Sequence, residues 1–203
     1  MRSLAAPLLA LALAGCGQEP AAPQPSASAT ALASATATPT PTATATAPVV
    51  VGKAILSAGG AGFGRASASA IRFSFGASRA EVEKAADAAL GAARERSANG
   101  ECGEGPLEFT DYPGLRLAFQ NGKFEGWLAR EDAHIITSDG IRPGTFLRDL
   151  RITRSVRFVE GSTLDGEFEY LAADGNWIGG FVEGAEREAK VVSLYAGLTC
   201  FFR

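Results

Sequence analysis

The sequence predicts an α+β fold: an antiparallel sheet with short helices on one face, placed behind a disordered N-terminal tether. Three observations carry this. Several stretches alternate apolar and polar residues at period two, the mark of a strand with one buried face. Two of them are broken by Asn121-Gly122 and Asp174-Gly175, turn pairs that suit a hairpin because both central residues tolerate positive φ. One stretch, Val82, Ala85, Ala86, Ala89 and Leu90, instead repeats at i, i+3, i+4, i+7, i+8 and lines one side of a helix.

The tether is compositional. Residues 17–48 hold 11 Ala, 7 Thr, 6 Pro and 3 Ser, with Glu19 the only charge. Such a segment cannot bury enough apolar surface to offset the entropy of ordering it. As polyproline-like chain at about 3.1 Å per residue it reaches on the order of 100 Å. Residues 49–203 remain as one domain of ordinary size.

Within the domain, Val49-Val50-Val51 begins a strand that the glycine-rich run from Gly59 to Gly64 interrupts. Ile71 to Phe75 alternates and reads as a strand. Ser78-Arg79-Ala80-Glu81 matches a capping box, so the helix spans 79–90, and Gly91 supplies the stop. A polar loop, 97–105, carries Cys102. Leu107 to Thr110 is a strand. Leu115, Leu117 and Phe119 form the first arm of the Asn121-Gly122 hairpin, and Phe124 and Trp127 lie on the second. His134 to Thr137 is a further strand, and Thr145 stands where it caps a short helix over 146–151. The order then repeats. Val156 to Val159 is a strand, Phe168, Tyr170 and Ala172 alternate, Asp174-Gly175 turns, and Trp177 to Val182 returns. Lys190 to Leu194 and Leu198 to Phe202 are the final strands. Two tandem helix–hairpin–strand units follow from this order, each with a Trp after its turn.

The N-terminus gives an address. Met1-Arg2-Ser3 is followed by an apolar run from Leu4 to Ala14, the pattern of a secretory signal. It ends in Leu13-Ala14-Gly15-Cys16, which resembles the lipobox of bacterial lipoproteins. The resemblance implies a signal peptide over 1–15, cleavage before Cys16, and acylation of Cys16. Residues 16–48 then become the lipidated cysteine and its tether. Gly17 after the cysteine, by analogy with enteric lipoproteins, implies the outer membrane, with the domain facing the periplasm. Two or more acyl chains anchor stably where one does not.

A second resemblance covers the order of elements over about residues 70–200. Phe75-Gly76-Ala77-Ser78-Arg79-Ala80-Glu81-Val82 with Leu90-Gly91, and Thr137-Ser138-Asp139-Gly140-Ile141-Arg142-Pro143-Gly144-Thr145, are similar to the helix entries of small periplasmic modules. Those modules include the small lipoprotein of the outer-membrane β-barrel assembly machine and the β-lactamase-inhibitor-like fold. Here the first helix stands alone where the assembly lipoprotein has a helix pair.

Charge and residue types narrow the function. Lys and Arg number 19 against 22 Asp and Glu, and removing Arg2 and Glu19 leaves the domain at the same net −3. A weakly acidic domain does not suit a phosphate backbone, so nucleic acid is disfavoured and no nucleic-acid partner is expected. One His and three Cys argue against a structural metal cluster. Gly62-Phe63-Gly64 does not make a dinucleotide loop, because Ser67 stands at the third glycine position and a strand, not a helix, follows. No cofactor is expected.

Cys102 and Cys200 are the only cysteines of the domain. Export favours their pairing, with a catalytic thiol beside His134 as the alternative. Glu81, Glu83, Asp87, Glu101, Glu104, Glu131 and Asp132 offer acids for a glycosidase-like pair, but helix capping and solvation account for them. The aromatics Trp127, Trp177, Phe181 and Tyr195 suit either a small core or a partner hot spot. Strict alternation places Trp127 with Glu125 and Trp177 with Gly179, so the two tryptophans are the candidate partner-binding residues. The function expected is non-catalytic: a membrane-anchored lipoprotein binding another envelope component. A hydrolase-like envelope enzyme, or an inhibitor of one, is the alternative.

Overall fold

Alternation sets most of the strands, and glycine sets one that alternation hides. The computed structural model describes residues 53–201. The signal, Cys16, the tether and Val49-Val50-Val51 lie outside the described residues. In chain order the elements are β1 (Ala54–Ser57), β2 (Gly60–Phe63), β3 (Ile71–Ser74), α1 (Arg79–Leu90), β4 (Glu95–Asn99), β5 (Leu107–Tyr112), β6 (Leu115–Gln120), β7 (Lys123–Arg130), β8 (Ile135–Thr137), α2 (Leu147–Thr153), β9 (Val156–Phe158), β10 (Glu167–Leu171), β11 (Trp177–Glu183) and β12 (Lys190–Gly197), with a 3₁₀ turn at Glu186–Glu188. The fold is α+β, with two sheets. One has the order β3-β2-β1-β8, in which β1 and β8 are parallel. The other has eight antiparallel strands in the order β4-β5-β6-β7-β12-β11-β10-β9.

The glycine-rich run is β2, not a loop. A Cβ on Gly60 would come within 2.0 Å of the Phe73 carbonyl oxygen of β3, so the close approach of the two backbones requires glycine. Propensity argues against a strand here, and the tertiary neighbour decides.

The eight-stranded sheet is a duplication: α1 followed by the meander β4 to β7, then α2 followed by the meander β9 to β12. The same hydrogen bonds recur in both halves. Gly76 N–H donates to Phe124 O and Gly144 N–H to Val191 O, each at 2.7 Å. Phe124 N–H donates to Ala77 O and Val191 N–H to Thr145 O, each at 2.9 Å. Arg79 N–H donates to Gly122 O, and Leu147 N–H to Ala189 O. Gly76 and Gly144 take φ of 88° and 94°, a conformation that favours glycine and turns each entry segment into its helix. The two halves meet where β7 pairs with β12 and Leu128 faces Tyr195.

The duplication includes a β-bulge. Phe119 pairs with Phe124 while Ala118 pairs with Gly126, which leaves Glu125 as the extra residue. Phe181 pairs with Ser193 while Val182 pairs with Val191, which leaves Val192 as its counterpart. A bulge shifts every later side chain of the strand to the other face. Phe124, Trp127 and Ala129 therefore all enter the core, as do Val191, Leu194 and Ala196. That overturns the placement of Trp127 beside Glu125. Trp127 is fully buried, and its Nε1–H donates to the Ser57 carbonyl of β1 at 2.9 Å, tying the two sheets together.

Three further expectations change. Asn121-Gly122 joins β6 to β7, with φ of 50° and 73°, whereas Asp174-Gly175 joins β10 to β11. In the duplicated order these are different connections, so Trp127 and Trp177 are not counterparts. Ser78 is the N-cap of α1 but makes no side-chain cap, and α2 is capped by Phe146 rather than Thr145. Both cap positions are instead held in bridges to the sheet, Ser78 to Lys123 and Phe146 to Lys190. Leu198 to Phe201 is not a strand.

The core lies between the eight-stranded sheet and a layer made of the small sheet, α1 and α2. α1 contributes only Val82 and Ala86 as fully buried residues, and its small side chains let it sit close to β1, β2 and β7. Two tyrosines fasten that layer to equivalent strands. Tyr112 of β5 donates to Asp87 of α1 at 2.8 Å, and Tyr170 of β10 donates to Asp139 at 3.4 Å. Asp139 also takes Arg154 Nε at 2.9 Å and the Thr137 hydroxyl at 2.7 Å, so its buried charge is paired. Burial and the adjacent carboxylates raise both tyrosine pKa values well above the ordinary range.

Candidate functional site

Neither helix, nor the small sheet, covers the second face of the eight-stranded sheet. Which residues reach it follows from register. Asp111 pairs with Arg116, Arg116 with Leu128, Leu128 with Tyr195, Tyr195 with Gly179, Gly179 with Glu169, and Glu169 with Arg157. Directly paired residues share a face, so this is one row running from β5 to β9.

Each end of the row carries the same device. Arg116 forks onto Asp111 through Nε at 2.7 Å and Nη2 at 2.9 Å, and its guanidinium lies 5.1 Å from the Phe109 ring centre. Arg157 donates from Nε at 2.9 Å and Nη2 at 2.7 Å to one oxygen of Glu169, Oε2, and lies 4.1 Å from the Trp177 ring. The carboxylate and the ring hold each guanidinium flat against the sheet. The fork and its hydrogen bonds raise the Arg116 pKa further above its already high value.

Between the two ends stands an aromatic group. Phe181, Tyr195 and Phe201 contact one another with ring centres 5.0 to 5.6 Å apart. Tyr195 lies where a Cβ on Gly179 would come within 2.3 Å of its ring, so glycine there makes the seat for the tyrosine. The Tyr195 hydroxyl donates to Glu167 at 2.6 Å, and the Ser162 hydroxyl donates to the other oxygen of the same buried carboxylate. All three rings of the group are half-buried, and Trp177 is 38 % exposed.

The chain after β12 crosses this face. Gly197, at φ 71°, turns it, and Leu198 N–H donates to Glu125 O at 2.7 Å. Leu198 passes directly over Gly126, where a Cβ would lie 2.0 Å from the Leu198 oxygen. Cys200 is bonded to Cys102, with Cα atoms 5.3 Å apart. A cavity of about 250 Å³ lies between this segment and the sheet, lined by Asn99, Phe109, Arg116, Leu128, Thr199 and Phe201 among others.

Of the two candidate tryptophans, only Trp177 reaches the surface, on the open face beside Arg157. Phe181 and Tyr195 share that face, and Phe201 joins them unforeseen. Its signal was available as a second aromatic close to Cys200, but reading 198–202 as a strand concealed it. The disulfide leaves no thiol for the alternative with His134, which is exposed in the turn before β8. Of the helix acids, Glu83 and Asp87 are engaged in structure. Burial of Glu83 raises its pKa, but hydrogen bonds from Thr110 and Arg79 and the charges of Arg79 and Arg96 outweigh it and hold the carboxyl below its usual value. Among the described residues no group of three or more His, Cys, Asp or Glu is gathered to hold a metal ion. No family model, curated protein or solved structure matches the chain.

Proposed function

We propose that the protein is a lipid-anchored envelope lipoprotein whose domain binds another envelope protein through the open face of its eight-stranded sheet. One observation carries the reading. The face that neither helix nor the small sheet covers presents Trp177, Phe181, Tyr195 and Phe201 together with two flattened guanidinium groups, Arg116 and Arg157. Trp, Tyr and Arg are the residue types that dominate binding energies at protein interfaces. Arg157 and Trp177 are already held in place, which lowers the entropy lost on docking. The lipobox at Cys16 supports anchoring, and a tether of tens of ångströms lets the face reach a partner beyond the lipid surface.

Two results test this. Cys16→Ala moves the protein from the membrane fraction to the soluble fraction, and wild-type protein alone carries acyl mass. If the variant still sediments with membranes, the anchor is not at Cys16. Trp177→Ala weakens capture of the envelope partner by at least about 2 kcal/mol while the melting temperature stays close to wild type, because the ring is at the surface. Unchanged capture removes Trp177 from the interface.

A further inference from the structure

We propose that the C-terminal segment 198–201 is a redox-releasable strap, which the Cys102–Cys200 disulfide holds down over one half of the open face. The domain has two separate apolar clusters. The main one lies on the helix side of the eight-stranded sheet. The smaller one lies on the open side and consists of Cys102, Leu107, Phe109 and Ala118, covered by Leu198 and Cys200. The disulfide belongs to the smaller cluster only. Cutting it leaves the main core untouched and removes the cover from Leu107, Phe109 and Ala118, which are 0 to 5 % exposed while the strap is seated.

Among the described residues the strap has few other attachments. Among the described backbone hydrogen bonds, its anchor is Leu198 N–H to Glu125 O, at its root. Beyond it the attachments are the Asn99 amide to Cys200 Sγ at 3.4 Å, the disulfide, and the Phe201 ring on Phe181 and Tyr195. Leu198 lies close upon Gly126, but a cavity of about 250 Å³ borders Thr199, Cys200 and Phe201, so beyond its root the strap is not packed flush along the sheet. A segment with few backbone hydrogen bonds opens locally at small cost once its covalent tie is gone.

The chemistry needs a dithiol. Cys200 is partly exposed and Cys102 is 7 % exposed, so a thiolate attacks the Cys200 sulfur and Cys102 leaves. The second thiol of the reductant then resolves the mixed disulfide. The S–S bond of the protein is broken by two electrons and two protons from the dithiol, which itself becomes a disulfide. The consequence for binding rests on the docking reading above: the oxidised protein offers the half around Trp177 and the aromatic group, and the reduced protein offers the half around Phe109 as well.

The release is measured without any partner, so it stands or falls apart from the docking reading. The full-length protein is treated under native conditions with a dithiol, then probed with a dye that fluoresces on exposed apolar surface, with iodoacetamide, and by hydrogen exchange. Reduction raises dye emission several-fold, both thiols alkylate in the native state, and the amides of β7 and β12 remain among the slowest to exchange. A chain ending at Gly197 shows the raised emission without reductant and no further rise with it. Unchanged emission, or protected thiols after reduction, means the strap stays seated unaided and overturns the proposal. Loss of β7 and β12 protection on reduction also overturns it, since the bridge would then hold the whole domain and not a local cover.

Discussion

Replacing Trp127 with alanine destabilises the domain by about 3–5 kcal/mol, the range for removing a large aromatic from a packed core. The side chain is 0 % exposed, and it does two jobs. Its ring fills the space between the two sheets, and its Nε1–H satisfies the Ser57 carbonyl of β1. Trp127→Phe separates them, because it keeps most of the apolar volume and removes only the hydrogen bond to that carbonyl, at a cost of about 0.5–1.5 kcal/mol. Urea unfolding followed by circular dichroism reads both variants. A loss under about 1 kcal/mol for Trp127→Ala would place the ring outside the core, since exposed substitutions stay within about 0.5 kcal/mol.

The second large effect is on the disulfide. Cys102 and Cys200 are 98 residues apart in sequence, so their bond closes a long loop in the unfolded chain. In the chain-entropy account a loop near that length contributes about 4–5 kcal/mol, so the double variant Cys102→Ser/Cys200→Ser lowers the unfolding free energy by that amount. The native domain persists because the bridge lies in the smaller apolar cluster, away from the main core. Denaturant midpoints of the variant and of reduced wild type should agree. A variant as stable as the oxidised protein would remove the bridge from the stability account.

Much of this fold was legible in sequence where chemistry is local. Asn121-Gly122 required positive φ and made its hairpin, and the 3.6-residue repeat from Val82 to Leu90 made α1 to the residue. What was not legible depends on neighbours distant in sequence. β2 pairs closely with β3 because glycine at position 60 leaves room for the β3 backbone. The bulge at Glu125 has no residue signature, yet it moves Trp127 from the expected surface to the core. The two tryptophans looked equivalent because each follows a glycine turn, but those turns join different strand pairs of the repeat. The open face was half legible. Trp177, Phe181 and Tyr195 stood out as aromatics, but their meeting with Phe201 depends on a chain reversal at Gly197 and a disulfide that draws the terminus back across the sheet. The paired devices of Arg116 on Phe109 and Arg157 on Trp177 appear only once the register places them on one row.

The central claim is that the open face, not the helix-covered side, meets a partner. Site-specific photo-crosslinking in intact envelopes tests it most directly. A photoreactive residue replaces Trp177 on the open face, or Ile152, the 82 % exposed residue of α2 on the opposite side. The account predicts a discrete crosslinked product from position 177, lost when Arg157 is also changed to alanine, and none from position 152. Products from position 152 alone, or equal products from both, would contradict it.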